Sequence, residues 1–279
     1  MKLGVTIFAT DQCMDVVELA RESEARGFHS LYIPEHTHIP TSRRTPPPTG
    51  DAVLAEEYKR TLDPFVALGA CAAVTQKLVL GTGIALVAQR DPIVFAKEIA
   101  TLDVLSKGRA VLGIGFGWNE DEMEDHGVTF KERRDVAREK MLAMQALWAN
   151  EVASFEGQYV KIPPCWSWPK PVQKPRVPIL IGGGGGPKLF AHIAEYADGW
   201  IPIGGAGVRE LIPQLHAAVE ARGRDPRSIR VIPFGTLPTP GKLDYYASLG
   251  IDEVVLRIPS APRDTVMPML DEFRKLLPS

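Results

Sequence analysis

Cysteine is scarce in this chain. Cys13, Cys71 and Cys165 are its only three in 279 residues. They stand far apart, with no CxxC and no Cys/His spacing, so neither a disulfide framework nor a zinc site organises the fold. They read as small buried or half-buried side chains. An excess of either charge is also lacking: 32 Lys and Arg against 34 Asp and Glu give a net charge of -2, which points away from nucleic acid or any other polyanion as partner. No apolar run approaches the roughly 18 to 20 residues that a membrane span requires. The chain opens directly into Lys2-Leu3-Gly4-Val5 without a signal-like stretch, and the expectation is a cytoplasmic protein with no membrane partner. With 45% hydrophobic residues, it can bury a large core, and a single domain over 1–279 is expected.

Glycine, by contrast, is concentrated. Gly182 to Gly186 form an unbroken run between an apolar segment, Val177 to Ile181, and a helical one, Pro187 to Ala197. A strand ending in glycines before a helix leaves backbone N–H groups bare at the positive helix end, as a phosphate or other anion requires. The run is not the dinucleotide fingerprint, because no acidic residue follows the next strand at the expected distance, and it lacks the closing Gly-Lys-Ser/Thr of a Walker motif. A tight turn is the alternative.

Short β-branched runs alternate with amphipathic helices from end to end. Strands are expected at about 2–8, 29–33, 78–85, 109–114, 178–182, 199–203, 229–236 and 252–257. Helices are expected at about 12–26, 62–74, 92–105, 130–149, 187–197, 207–222, 241–249 and 263–276. Eight such units favour a closed (β/α)8 TIM barrel over an open doubly wound sheet, and place the ligand at the C-terminal ends of the strands. Asp63-Pro64 and Asp91-Pro92 read as N-cap and first-turn proline, while Gly27, Gly108 and Gly250 fall just past helix ends. Long insertions follow strands 2 and 4. The first, Pro34 to Thr61, contains Pro46-Pro47-Pro48; the second, Asn150 to Arg176, carries a hairpin-like stretch at Ser154–Val160, then Trp166 and Trp168. Such long loops commonly form lids or substrate walls.

The strand ends carry the candidate chemistry. Strand 2 runs into Pro34-Glu35-His36-Thr37-His38, a carboxylate and two imidazoles suited to proton transfer near neutral pH. Strands 3 and 4 end in Gly81-Thr82-Gly83-Ile84 and Gly113-Ile114-Gly115-Phe116-Gly117-Trp118-Asn119, where glycines permit a planar ring to approach the main chain and Asn119 offers an amide. His126, His192 and His216 read as solvated or packing residues. Arg257 closes the last strand and either faces the site or forms an ion pair. The charged start of the helix at 130–149, Lys131-Glu132-Arg133-Arg134, reads as a solvent-exposed paired face.

With these pieces in place, nearly the whole chain resembles the luciferase-like family of flavin and deazaflavin oxidoreductases. The residues that carry the resemblance are Leu80-Gly81-Thr82-Gly83, the stretch from Ala100 to Arg109, Leu112 to Glu120, Pro178 to Gly183, and Ala197-Asp198-Gly199-Trp200. The resemblance implies a (β/α)8 barrel, usually a homodimer, that binds coenzyme F420 or FMN. It maps a ring-supporting bulge to Gly83-Ile84, often a non-prolyl cis peptide in the family. Coenzyme contacts map to Thr82, Gly83, Ile84, Gly115, Asn119 and the loop Gly182, Gly183, Gly184 and Gly185. Glu35 and His36 take the place of the acid and histidine that lie near the substrate, with glutamate where many deazaflavin members carry aspartate. The segment Pro34 to Pro40 resembles a branch of short F420-dependent oxidoreductases.

The leading expectation is therefore hydride transfer between F420 and a small organic substrate, with His36, supported by Glu35, moving a proton. The alternative is an FMN-dependent monooxygenase on the same fold. A metal-dependent hydrolase built on His36-Thr37-His38 lacks further ligands at later strand ends, so no metal is expected; a coenzyme carrier without catalysis is the remaining reading. Tyr58, Phe155, Tyr159, Trp166 and Trp168 in the two long insertions suggest an apolar or aromatic substrate, though lid packing explains them equally.

Overall fold

A computed structural model describes residues 1–47, 53–239 and 241–277. The chain begins with β1 (Lys2–Thr6), α1 (Val16–Ala25), β2 (Ser30–Ile33), α2 (Pro64–Val74), β3 (Val79–Thr82), α3 (Pro92–Leu105) and β4 (Ala110–Ile114). A short α4 (Glu120–Asp125) and the long α5 (Arg133–Ala149) follow, then a hairpin of β5 (Val152–Glu156) and β6 (Lys161–Trp166). The second half holds β7 (Ile179–Gly182), α6 (Pro187–Tyr196), β8 (Gly199–Ile201), α7 (Val208–Glu220), β9 (Arg230–Val231), β10 (Phe234–Thr236), α8 (Lys242–Ser248), β11 (Glu253–Arg257) and α9 (Arg263–Arg274).

Nine parallel segments pair in the order β10-β11-β1-β2-β3-β4-β7-β8-β9. β9 and β10 are two pieces of one stave, interrupted at Ile232-Pro233, where proline offers no N–H to the ladder. Ile232 N still donates to Trp200 O at 2.9 Å, and Val255 N to Pro233 O at 2.9 Å. A bridge between Ile203 and Phe234 joins the two edges. The sheet thus curls into the eight-stave parallel barrel that the alternation of the sequence predicts. Its lumen is filled by Tyr32, Val111, Leu180, Ile201, Ile232 and Phe234 among others, a packed core rather than a pore. A larger apolar layer lies between the staves and the surrounding helices.

The local signals act as their chemistry requires. Asp63 Oδ1 accepts from Phe65 N and Val66 N at 2.9 Å each, and Asp91 Oδ1 from Ile93 N and Val94 N at 3.0 and 2.9 Å. Both N-caps sit directly before a first-turn proline. α1 begins at Val16 rather than near residue 12, because the Asp15 carboxylate caps Glu18 N at 2.8 Å. α4 is an addition to the expected elements: its six residues fall where a loop was expected. Part of the proline-rich stretch of the first insertion, Pro48 included, lies outside the described residues.

The second insertion contains the hairpin the sequence suggested, but it is not a wall of the site. β5 and β6 pack against α5, where the Glu139 carboxylate accepts from Gln158 N, Tyr159 N and Val160 N at 2.7 to 3.0 Å. Those three bonds hold the Glu139 carboxyl below the usual range against the opposing effect of burial. None of Phe155, Tyr159, Trp166 and Trp168 lines the cavity described below. Among the described residues, no helix is long and apolar enough to cross a membrane.

Candidate active site

A cavity of about 450 Å³ opens at the C-terminal ends of the staves. Its floor is the turn after β3, where the Gly83–Ile84 peptide is cis. This turn is tied to both neighbouring staves: Gly83 N donates to Ile33 O (2.9 Å), Glu35 N to Ile84 O (3.1 Å), Ala85 N to Gly113 O (2.8 Å) and Gly115 N to Ala85 O (2.9 Å).

The glycines around the turn are required by the protein's own packing. A Cβ on Gly113 would stand 2.0 Å from Thr82 O, one on Gly115 2.4 Å from Ile84 Cδ1, and one on Gly182 2.7 Å from Ile84 Cγ2. Gly83 faces Phe234, whose Cζ would be 2.2 Å from an added Cβ. Beyond any ring they could admit, Gly113, Gly115 and Gly182 make room for Thr82 O and the Ile84 side chain. Ile84 is thereby seated as part of the cavity floor.

The other expected coenzyme contacts divide. Gly182, Gly183 and Gly184 line the cavity beside Gly83, Ile84 and Gly115. Gly185 does not; an added Cβ there would meet Leu211, Trp200 and Phe190 within 3.0 Å, so it is a packing position. Thr82 is buried and spends its hydroxyl on Gly113 O at 2.7 Å. Asn119 is buried at the N-cap of α4, its amide lies outside the cavity lining, and neither amide atom has a partner among the described residues. Beyond the glycines, the N–H groups of Gly184, Gly185, Gly186, Lys188 and Leu189 make no backbone hydrogen bond to the described residues. Those bare donors open α6.

Two arginines at the start of α5, not expected in the site, line the same cavity. Arg133 stacks 3.6 Å from the Phe130 ring centroid and donates to Phe130 O at 2.7 Å. Arg134 lies 4.4 Å over Phe116. Neither has a carboxylate within salt-bridge distance among the described residues, and Arg133 Nε and Arg134 Nη1 are buried without a partner. Burial lowers the pKa of both guanidinium groups, and for Arg133 the charge of Arg134 adds to it. The expected solvent-exposed paired face is thus corrected. The sequence signal was the pair of adjacent cations; in the structure their neighbouring acid is engaged elsewhere, Glu132 accepting from Tyr159 Oη at 3.1 Å.

Across the cavity stands His36. Its Nδ1 lies 2.8 and 3.1 Å from the two oxygens of Glu122 on α4, its carbonyl accepts from Thr61 Oγ1 at 2.7 Å, and its ring packs in a cluster with Tyr58 and Trp118. Glu35, expected to support His36, is turned away from it. The Glu35 carboxylate accepts from Leu86 N and Arg90 Nε, both at 2.7 Å. Arg90 goes on to Asp63 and Glu98 and is stacked on Phe65 and Phe95. Glu35 thus lines the cavity, but its buried carboxylate is spent on Arg90 and Leu86 N rather than on His36. His38 points outward to Asp125 at 3.0 Å, so the two imidazoles of the HxH stretch do not converge. Arg257 lines the mouth and also pairs with Glu57 at 3.0 Å, combining the two expected alternatives. Of the candidate substrate aromatics, Tyr58 alone lines the cavity.

The model of the luciferase-like monooxygenase family matches residues 1–238. This chain belongs to that family. Its members include F420- and flavin-dependent oxidoreductases and monooxygenases. An uncharacterised protein of Mycobacterium tuberculosis is 45% identical over 267 residues, 95% of this chain and 94% of its own length. The F420-dependent glucose-6-phosphate dehydrogenase of Kineococcus radiotolerans is 36% identical over 221 residues, covering 75% of this chain and 59% of that protein. Among solved structures, an F420-dependent secondary alcohol dehydrogenase superposes with a TM-score of 0.81 at 18% identity, covering 99% of this chain and 98% of its own. This last likeness concerns the fold.

Proposed function

We propose that this luciferase-like protein is an F420-dependent oxidoreductase acting on a small organic substrate. The observation that carries the reading is one cavity with two chemically distinct sides: unpaired Arg133 and Arg134 beside the bare glycine loop, and His36 among Tyr58 and Trp118. Cations without acid partners, next to free backbone N–H groups, suit the phosphate of a coenzyme. The residues that would hold it are Gly182 to Gly184, Arg133 and Arg134, with Ile84 under its ring system. When bound, the deazaflavin supplies a centre that accepts or donates a hydride.

The chain's own residues supply position, dryness and a proton. Ile84 and Phe234 present apolar surface to one side of the cavity, Tyr58 and Trp118 to the other, which limits water around the reacting groups. His36 holds or moves a proton at its Nε2 atom. The F420-dependent relative supports the choice of deazaflavin over FMN. A second copy is the proposed partner of α2 and α3, whose outer faces carry Val66 (76% exposed), Ile93, Val94 and Leu105, with Gly69 open enough to let a neighbouring backbone approach; the molecular mass in solution tests this.

Titration of cofactor-stripped protein with F420 and FMN, oxidised and reduced, tests the central reading by ligand fluorescence and tryptophan quenching. Tighter binding of F420 is the expected result. The reverse preference, followed by oxygen-dependent turnover, makes this a flavin monooxygenase; binding of neither overturns the coenzyme assignment.

A further inference from the structure

Glu122 is a carboxylate buried to 1% side-chain exposure, and Nδ1 of His36 is its one side-chain hydrogen-bond partner among the described residues. A buried carboxylate is tolerated when a hydrogen-bond donor faces it. Nδ1 therefore carries the hydrogen, which leaves Nε2 as the ring atom available to the cavity. We propose that Glu122 is the positioning residue for His36: it fixes the Nδ1–H form of the ring and so directs proton exchange with the substrate to Nε2. This role rests on the oxidoreductase reading above.

The surroundings single out this pair. Glu35, next to His36 in the chain, is committed to Arg90 and Leu86 N. Tyr58 and Trp118 touch the ring through their faces and edges. His126, beyond the pair, bonds Thr37 Oγ1 at 2.7 Å. Arg257 is held by Glu57, and Arg133 and Arg134 stack on Phe130 and Phe116. Of all these charged or titratable groups, Glu122 alone hydrogen-bonds the imidazole. Nε2 takes or releases the proton while Nδ1–H stays on the Glu122 carboxylate.

The test is the tautomer of His36, read from proton–nitrogen correlation spectra of the side-chain imidazoles in the whole protein, with His36→Gln identifying its signals. In the wild type, the neutral ring is expected with hydrogen on Nδ1. In Glu122→Gln, whose amide donates as well as accepts, the Nε2–H form gains population; Glu122→Asp retains the wild-type form. Turnover number is expected to fall roughly 100-fold or more in Glu122→Gln, with Glu122→Asp recovering part of it and the coenzyme Kd unchanged within about twofold. A neutral Nε2–H ring in the wild type overturns the proposal without any variant having to fold. Identical His36 signals in the wild type and Glu122→Gln overturn it too. A tautomer shift in a protein that binds neither F420 nor FMN overturns the catalytic use and the oxidoreductase reading while the positional anchor stands.

Discussion

An Arg134→Met exchange removes a guanidinium that lies 4.4 Å over Phe116 with one nitrogen buried and unpartnered. Two consequences of opposite kind follow. A charge-assisted hydrogen bond to a coenzyme phosphate contributes about 1.5–3 kcal/mol, and about 1.4 kcal/mol is a factor of ten in Kd, so the affinity for F420 should fall roughly 10- to 150-fold. Folding, however, loses a cation–π contact of about 0.5–2 kcal/mol and is relieved of a half-buried cation that no acid balances, while methionine keeps much of the packing on the ring. The net stability change should stay within about 1 kcal/mol. Fluorescence titration at fixed ionic strength measures the first and urea unfolding the second. A deazaflavin lacking the phosphate is the decisive control, because its affinity should not change. An unchanged F420 affinity, or equal weakening of both ligands, refutes the assignment of Arg134 to the coenzyme phosphate.

Three further outcomes are expected. Gly113→Ala drives a Cβ to 2.0 Å from the Thr82 carbonyl oxygen, an overpacking against backbone that should cost about 3 kcal/mol or more; a mutant with the wild-type urea midpoint would contradict it. Arg90→Met strips the buried Glu35 of its cation and should destabilise by about 3–5 kcal/mol, much more than any exposed charge removal, again read by urea unfolding. His192 is held below its ordinary pKa by burial and then by the Arg134 charge, so the unfolded chain takes up the proton first. Its contribution to stability is present above the ordinary imidazole value of 6.5 and is lost as pH falls through that value toward the lower folded one. His192→Gln should therefore flatten the loss of stability between pH 7 and pH 5, and an unchanged slope would show that other groups dominate.

The barrel was legible because its signals are local and repeated: β-branched runs, Asp-Pro helix starts and glycines after helix ends each act within a few residues of where they stand. The site was legible only where it lies on the staves. Gly115 and Gly182 to Gly184 stand at strand ends that the alternation locates, whereas the role of Ile84 came from the family resemblance; all of them line the cavity. Thr82 turns to the neighbouring stave and Gly185 packs beneath α6 and α7, which a one-dimensional pattern does not distinguish. Glu35 and Glu122 illustrate the harder limit. A carboxylate adjacent to His36 in the chain is drawn off by Arg90, 55 residues along, while the one that touches the imidazole comes from 86 residues away. Arg133 and Arg134 were obscured by an ordinary-looking charged helix start; the acid run from Glu120 to Asp125, in turn, forms α4 and holds the first insertion, where Arg44 bonds Asp121 through both main chain and side chain.

The attachment of the β5–β6 hairpin separates two kinds of variation in this chain. It is held on the outer layer by the acids Glu139 and Glu132 and by its buried Ala153, Val160 and Ile162, and the parallel staves pair without it. Trp166, 76% exposed at its end, stands on a handle rather than a hinge. Length and composition can therefore change at its exposed end by insertion or tagging, while none of its residues lines the cavity.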